Sequence, residues 1–186
     1  MNVMKTMRRY DLALLALSVV TYLIFSFLID ERVISSFWRL QIVLMCINVI
    51  LAASLNLING ITGQFSLGHA GFMAVGAYVS AVMTMWYDLP FGLALLIGGL
   101  AAAFIGIIIG IPTLRLDGDY LAIATLGMGE IIRITILNIP AVGGASGLTG
   151  IPRLTDFTWV FWAMIITLFF IKNMVNSTFG RSCISV

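Results

Sequence analysis

The sequence predicts an all-α integral membrane protein, a polytopic helical bundle of about six spans with one glycine-rich broken or re-entrant element. Three observations carry that reading. Hydrophobic residues make up 61% of the 186 positions and charged residues only 10%, with a mean hydropathy of +1.09. A water-soluble domain carries about 25% charged residues, so this chain cannot cover a water-facing surface and takes lipid as its main solvent. Its apolar residues fall into runs near the roughly 20 residues that cross a hydrocarbon core. Between two of those runs sits a polar, glycine-rich stretch, Asn59–Gly71.

The runs place spans near residues 12–29, 40–58, 70–87, 91–111, 120–138 and 159–171. The first follows Lys5, Arg8 and Arg9 and ends at Asp30-Glu31. It exceeds the about 7–15 residues of a secretory h-region and lacks a small-residue cleavage site, so it reads as a retained anchor. The fourth carries no charge. It does carry Gly98, Ala102, Gly106 and Gly110 at four-residue intervals, which assigns those four to a face where a second helix packs closely. The fifth contains Glu130 and Arg133. Ionisable groups inside a span are costly, and the i,i+3 spacing lets these two pair, so they are expected as a buried charge pair. That pair is either part of a pathway or gate, or a neutralised structural element, or it marks a helix lying near the cytoplasmic interface.

Lys and Arg bias the orientation of spans. With Met1 in the cytoplasm, Lys5, Arg8, Arg9, Arg115, Lys172 and Arg181 lie inside, whereas Arg32, Arg39 and Arg153 lie outside. The reverse orientation inverts that bias. A net charge of +2 gives no footing for a nucleic-acid partner. Cys46 and Cys183 form neither a disulfide framework nor a metal-ligand pattern. Asp117 and Asp119 flank Gly118 and read as a turn with Asp119 capping the next helix, rather than as a cation site. One histidine, His69, leaves a nucleophile without a base elsewhere, and no HExxH, GxSxG or P-loop string occurs. The chain is therefore expected to be no enzyme and to need no cofactor or metal.

Asn59–Gly71 is open to two readings. It is a connecting loop, or a broken helix whose freed backbone groups line a solute pathway. On the second reading the pathway residues are Asn59, Gly60, Gly63, Gln64, Ser66, Gly68 and His69. A second glycine-rich stretch, Val142–Pro152, reads as a loop of tight turns.

Three ordered blocks carry a resemblance. They are Leu55–Tyr78 (LNLINGITGQFSLGHAGFMAVGAY), Leu114–Arg133 (LRLDGDYLAIATLGMGEIIR) and Gly143–Pro152 (GGASGLTGIP). The first resembles the branched-chain amino acid permeases of ABC importers, and the other two resemble the M-type subfamily of those permeases. The resemblance implies an all-helical permease in a bacterial or archaeal plasma membrane, importing leucine, isoleucine or valine. It implies as partners a second, similar permease, two cytoplasmic ATPases that supply ATP hydrolysis, and an extracytoplasmic substrate-binding protein. It favours the pathway reading of Asn59–Gly71. Family members continue past the point matching Val186, and Ser177–Arg181 resembles the start of their ATPase-docking segment, so the chain is expected to be the N-terminal part of one permease domain. An ion-coupled secondary transporter, a permease of the same superfamily carrying a sugar, and a helical scaffold remain as alternatives.

Overall fold

A computed structural model describes residues 2–30, 35–113, 115–116, 118–177 and 180. Six α-helices follow one another, and no strand occurs among the described residues. They are α1 (Asn2–Asp30), α2 (Ser36–Asn56), α3 (His69–Trp86), α4 (Phe91–Thr113), α5 (Asp119–Leu137) and α6 (Phe157–Asn176). Each overlaps one of the expected spans. Helix α1 starts ten residues before the apolar run because Lys5, Arg8 and Arg9 break hydropathy without breaking helix propensity. Helix α6 runs to Asn176 through Lys172 for the same reason. Arg32 and Arg181 lie outside the described residues, as do Cys183, Asp117 and parts of residues 177–181.

Among the described residues, four stretches are long and apolar enough to cross a membrane: Ser36–Ile61, Phe91–Thr113, Asp119–Leu137 and Phe157–Asn176. Helix α3 has 18 residues and is diluted by His69, Gly71, Gly76, Tyr78 and Ser80. Much of the apolar surface is outward. Leu100, Phe104, Ile107 and Ile111 form one exposed stripe of α4, while Ala94, Gly98, Ile109 and Thr113 are buried. Such a surface suits hydrocarbon as solvent and would be a liability in water.

The chain divides into two compact units, Met1–Ser54 with Thr155–Val186, and Leu55–Leu154. In the first, the core joins Cys46 of α2 to Phe157, Val160 and Phe161 of α6, with Tyr22 and Phe25 of α1 packed against it. Tyr22 lies within 6.2 Å of the rings of Phe157, Phe161 and Trp162 and its hydroxyl is 3.1 Å from the Thr158 hydroxyl. Arg39 at the start of α2 pairs with Asp156, just before α6, at 3.0 Å. Aromatic packing thus ties the helices along their length and one ion pair ties them at an end.

The second unit is built on α3 against α4, with α5 across them. Their closest approach uses glycine on both sides. A Cβ on Gly98 would lie 2.5 Å from the Gly76 carbonyl oxygen and 3.0 Å from Ser80 Cβ. A Cβ on Gly76 would lie 3.4 Å from the Gly98 oxygen and 3.6 Å from Ala102 Cβ. The small-residue face therefore packs at Gly98 and Ala102. It does not continue as expected through Gly106 and Gly110. Among the described residues, a Cβ on Gly106 would meet only Phe72 Cε1, at 4.0 Å, and one on Gly110 would meet nothing within 4 Å. The cause is helical geometry. A four-residue step overshoots a turn of 3.6 residues by about 40°, so Gly110 points about 120° away from Gly98.

Helix α5 also departs from expectation at its start. Its N-cap is Gly118, at φ 56°, and Asp119 is the first helical residue rather than the cap. No side-chain capping bond forms there; Asp119 still suits the first turn, where the helix dipole favours a negative charge. Beyond α5, the loop of residues 138–156 forms two short 3-10 turns, Pro140–Val142 and Gly144–Ser146. Gly143, at φ 85°, joins them in a position that an L-residue seldom adopts.

Candidate functional site

The Asn59–Gly71 stretch is not one element. Helix α2 widens into a π-turn over Leu57–Ile61, residues 62–68 are non-helical, and α3 starts at His69. The chain leaves the helix through local bonds. The Thr62 and Gln64 amides donate to the Leu57 and Ile58 carbonyls, each at 3.2 Å, and the Thr62 hydroxyl donates to Ile58 at 2.7 Å. Gly63 then reverses direction at φ 68°. Asn59 closes the bend, because its side-chain oxygen accepts the Ser66 amide at 3.1 Å. Gly60 lies within the π-turn and, unlike Gly63, needs no left-handed backbone.

The far end of the segment docks on α5. The Leu67 amide donates to the Thr125 hydroxyl at 3.0 Å, and that hydroxyl donates in turn to the Ala122 carbonyl at 3.0 Å. Both groups are thereby satisfied, as backbone packed away from solvent requires. Gly68 is buried against the same turn, and a Cβ on it would lie 2.5 Å from the Thr125 carbonyl oxygen. Gly71, one turn into α3, would place a Cβ 3.0 Å from Gly129 Cα. Gly68 is thus required by close approach of two backbones and not by its dihedrals, since its φ is −83°.

Beside this docked segment lies a cavity of about 200 Å³, lined by Gln64, Ser66, Phe72, Gly106, Gly110 and Thr113 among others. Two of its neighbours are spent. The Thr113 hydroxyl donates to the Ile109 and Gly110 carbonyls at 2.8 and 3.2 Å, and Thr125 is held as above. Among the described residues, the Gln64 side-chain amide and the Ser66 hydroxyl have no hydrogen-bond partner. The cavity therefore offers an apolar interior with two polar side chains at one side. It can hold an aliphatic group by contact and a polar group by hydrogen bonds, and among the described residues no charged one lines it.

Of the seven residues assigned from sequence, Gln64 and Ser66 line the cavity. Asn59, Gly60, Gly63 and Gly68 build the segment that carries them, and His69 opens α3. Phe72, Thr113 and Thr125 were not legible as site residues, because nothing local marks them; distant elements bring them together. A larger groove of about 340 Å³ between α1 and α6 is a poorer site. The Ser18 and Thr21 hydroxyls that line it donate to Leu15 and Leu17 of their own helix.

Glu130 and Arg133 do pair. Arg133 Nε donates to Glu130 Oε2 at 2.9 Å and Nη2 to Oε1 at 2.5 Å. The other described residues do not cover them: the side chains keep 62% (Arg133) and 50% (Glu130) of their exposure. They sit on the outer face of α5 with Ile123, Leu126 and Ile134, while Leu121, Ala122, Thr125 and Ile132 face inward.

Comparison with known proteins gives a consistent result. The family described as "Branched-chain amino acid transport system / permease component" matches residues 40–186. The "High-affinity branched-chain amino acid transport system permease protein LivM" of Escherichia coli (strain K12) is 48% identical over 115 residues, which is 61% of this chain and 27% of that protein. Its counterpart of the same name from Salmonella typhimurium (strain LT2) is 46% identical over 112 residues, 60% of this chain and 26% of that protein. Each match thus spans about a quarter of the relative's length. No solved structure matches this chain.

Proposed function

Because this chain belongs to the branched-chain amino acid transport permease family, we propose that it serves as a transmembrane permease subunit of an ATP-driven importer for leucine, isoleucine and valine. It is a multi-pass membrane protein. The observation that supports a pathway role is the break between α2 and α3, where Gln64 and Ser66 line a cavity with unspent hydrogen-bonding groups. A connecting loop has no need of a π-turn, an Asn59 latch and a glycine docked on a third helix. An interrupted span that presents backbone and polar side chains to a cavity is how transporters build solute sites.

In this reading α1 and α3 also cross the bilayer, giving six spans within one permease domain of a bacterial or archaeal plasma membrane, with Met1 in the cytoplasm. A second permease of similar sequence completes the pathway, an extracytoplasmic binding protein delivers the amino acid, and two cytoplasmic ATPases drive alternating access. The chain carries no phosphate-binding loop of its own. The rival is a self-contained, ion-coupled carrier, which an interrupted helix and an ion pair in a span also suit. Uptake of radiolabelled leucine by cells holding the full-length protein and its partner subunits separates the two. Depleting ATP at an intact ion gradient is expected to abolish uptake, whereas collapsing the gradient at constant ATP leaves it. The opposite pattern would support the ion-coupled carrier.

A further inference from the structure

We propose that Gly106 and Gly110 of α4 set the size of the aliphatic side chain that the cavity beside residues 62–68 accepts, an inference that rests on the transport reading above. The two glycines lie on the turns of α4 that have rotated out of the Gly76–Gly98 helix contact, and they line the cavity wall. Packing therefore gives no reason for their lack of a side chain. A Cβ on Gly110 enters open space, and one on Gly106 comes no nearer than 4.0 Å to Phe72. What they leave open is room inside the cavity.

The lining matches a branched aliphatic group. At about 200 Å³ the space is limited, and Phe72 and Ile109 supply apolar contact. An apolar cavity of about 150 Å³ already holds a six-carbon ring. Gln64 and Ser66 keep hydrogen-bonding capacity for the polar end of an amino acid. With no charge among the described lining residues, discrimination among aliphatic side chains falls to volume, where one methylene is worth about 10–200-fold.

The test measures kcat/KM for leucine and valine uptake by the full-length protein with its partner subunits, the binding protein being saturated with each amino acid in turn. Gly110→Ala and Gly106→Ala add one methyl to the cavity without clash. Each is expected to raise the valine-to-leucine ratio about tenfold or more. Phe72→Leu enlarges the same space and is expected to move the ratio the other way. Ile107→Ala, on the exposed face of α4, is expected to leave it unchanged. An unchanged ratio in the glycine variants, at wild-type expression and with leucine uptake intact, overturns the proposal. So does an equal loss for both amino acids. Failure of the unsubstituted protein to transport either one counts against the importer function itself and removes this inference with it.

Discussion

Gly68→Ala is expected to cut leucine uptake by more than about tenfold while leaving the amount of protein in the membrane unchanged. The added Cβ would sit 2.5 Å from the Thr125 carbonyl oxygen, a backbone atom with no side-chain rotamer to move it aside. Overpacking of this kind costs about 1–3 kcal/mol. It is relieved only if the segment lifts off α5. Lifting breaks the Leu67 bond to Thr125 and displaces Gln64 and Ser66, the polar side of the cavity. Insertion is directed by the apolar helices on either side, which the change does not touch. Gly99→Ala is the matched comparison, because a Cβ there meets nothing within 4 Å. It is expected to transport normally. Full uptake by Gly68→Ala at equal expression would mean that the docked geometry has no part in transport.

The second large effect concerns Glu130 and Arg133. Their two hydrogen bonds neutralise one another on a face of α5 that this chain leaves open. Removing one partner leaves a lone charge there, and an unpaired charge at a helix centre costs roughly 2.5–3.5 kcal/mol on insertion scales. Glu130→Gln or Arg133→Gln alone is therefore expected to lower the yield of membrane-inserted protein by up to about a hundredfold. The double substitution is expected to recover most of it. The yield is read by quantifying the protein in washed membranes. Normal insertion of both single variants would place this face of α5 in water rather than in lipid or protein.

These two sites show what could be read from sequence and what could not. Hydropathy located the six α-helices, since each carries an apolar run long enough to be read on its own. It misjudged the start of α1 and the end of α6, where charged residues continue a helix past its apolar part. The i,i+3 spacing gave the Glu130–Arg133 pair, but burial depends on which face of α5 meets α3 and α4. The small-residue interval on α4 was read as one packing face, and helical rotation splits it into a contact at Gly98 and a cavity wall at Gly106 and Gly110. The break at residues 62–68 was visible as glycine and polar content. Its attachment to Thr125 was not, because that contact joins positions 58 residues apart.

The central claim is that Gln64 and Ser66 border the path of the amino acid. Single cysteines at these two positions test it most directly, in a full-length protein with the cysteines at 46 and 183 replaced by serine, assembled with its partner subunits. The rate of reaction with a small membrane-impermeant thiol reagent is measured in membrane vesicles, with and without leucine-loaded binding protein and ATP. Both positions are expected to react, and turnover with leucine is expected to change their rates at least several-fold. A cysteine at Ile107, on the outward apolar stripe of α4, serves as the comparison and is expected to stay unreactive throughout. Unreactive cysteines at 64 and 66, or rates indifferent to leucine and ATP in a complex that still transports, would contradict it.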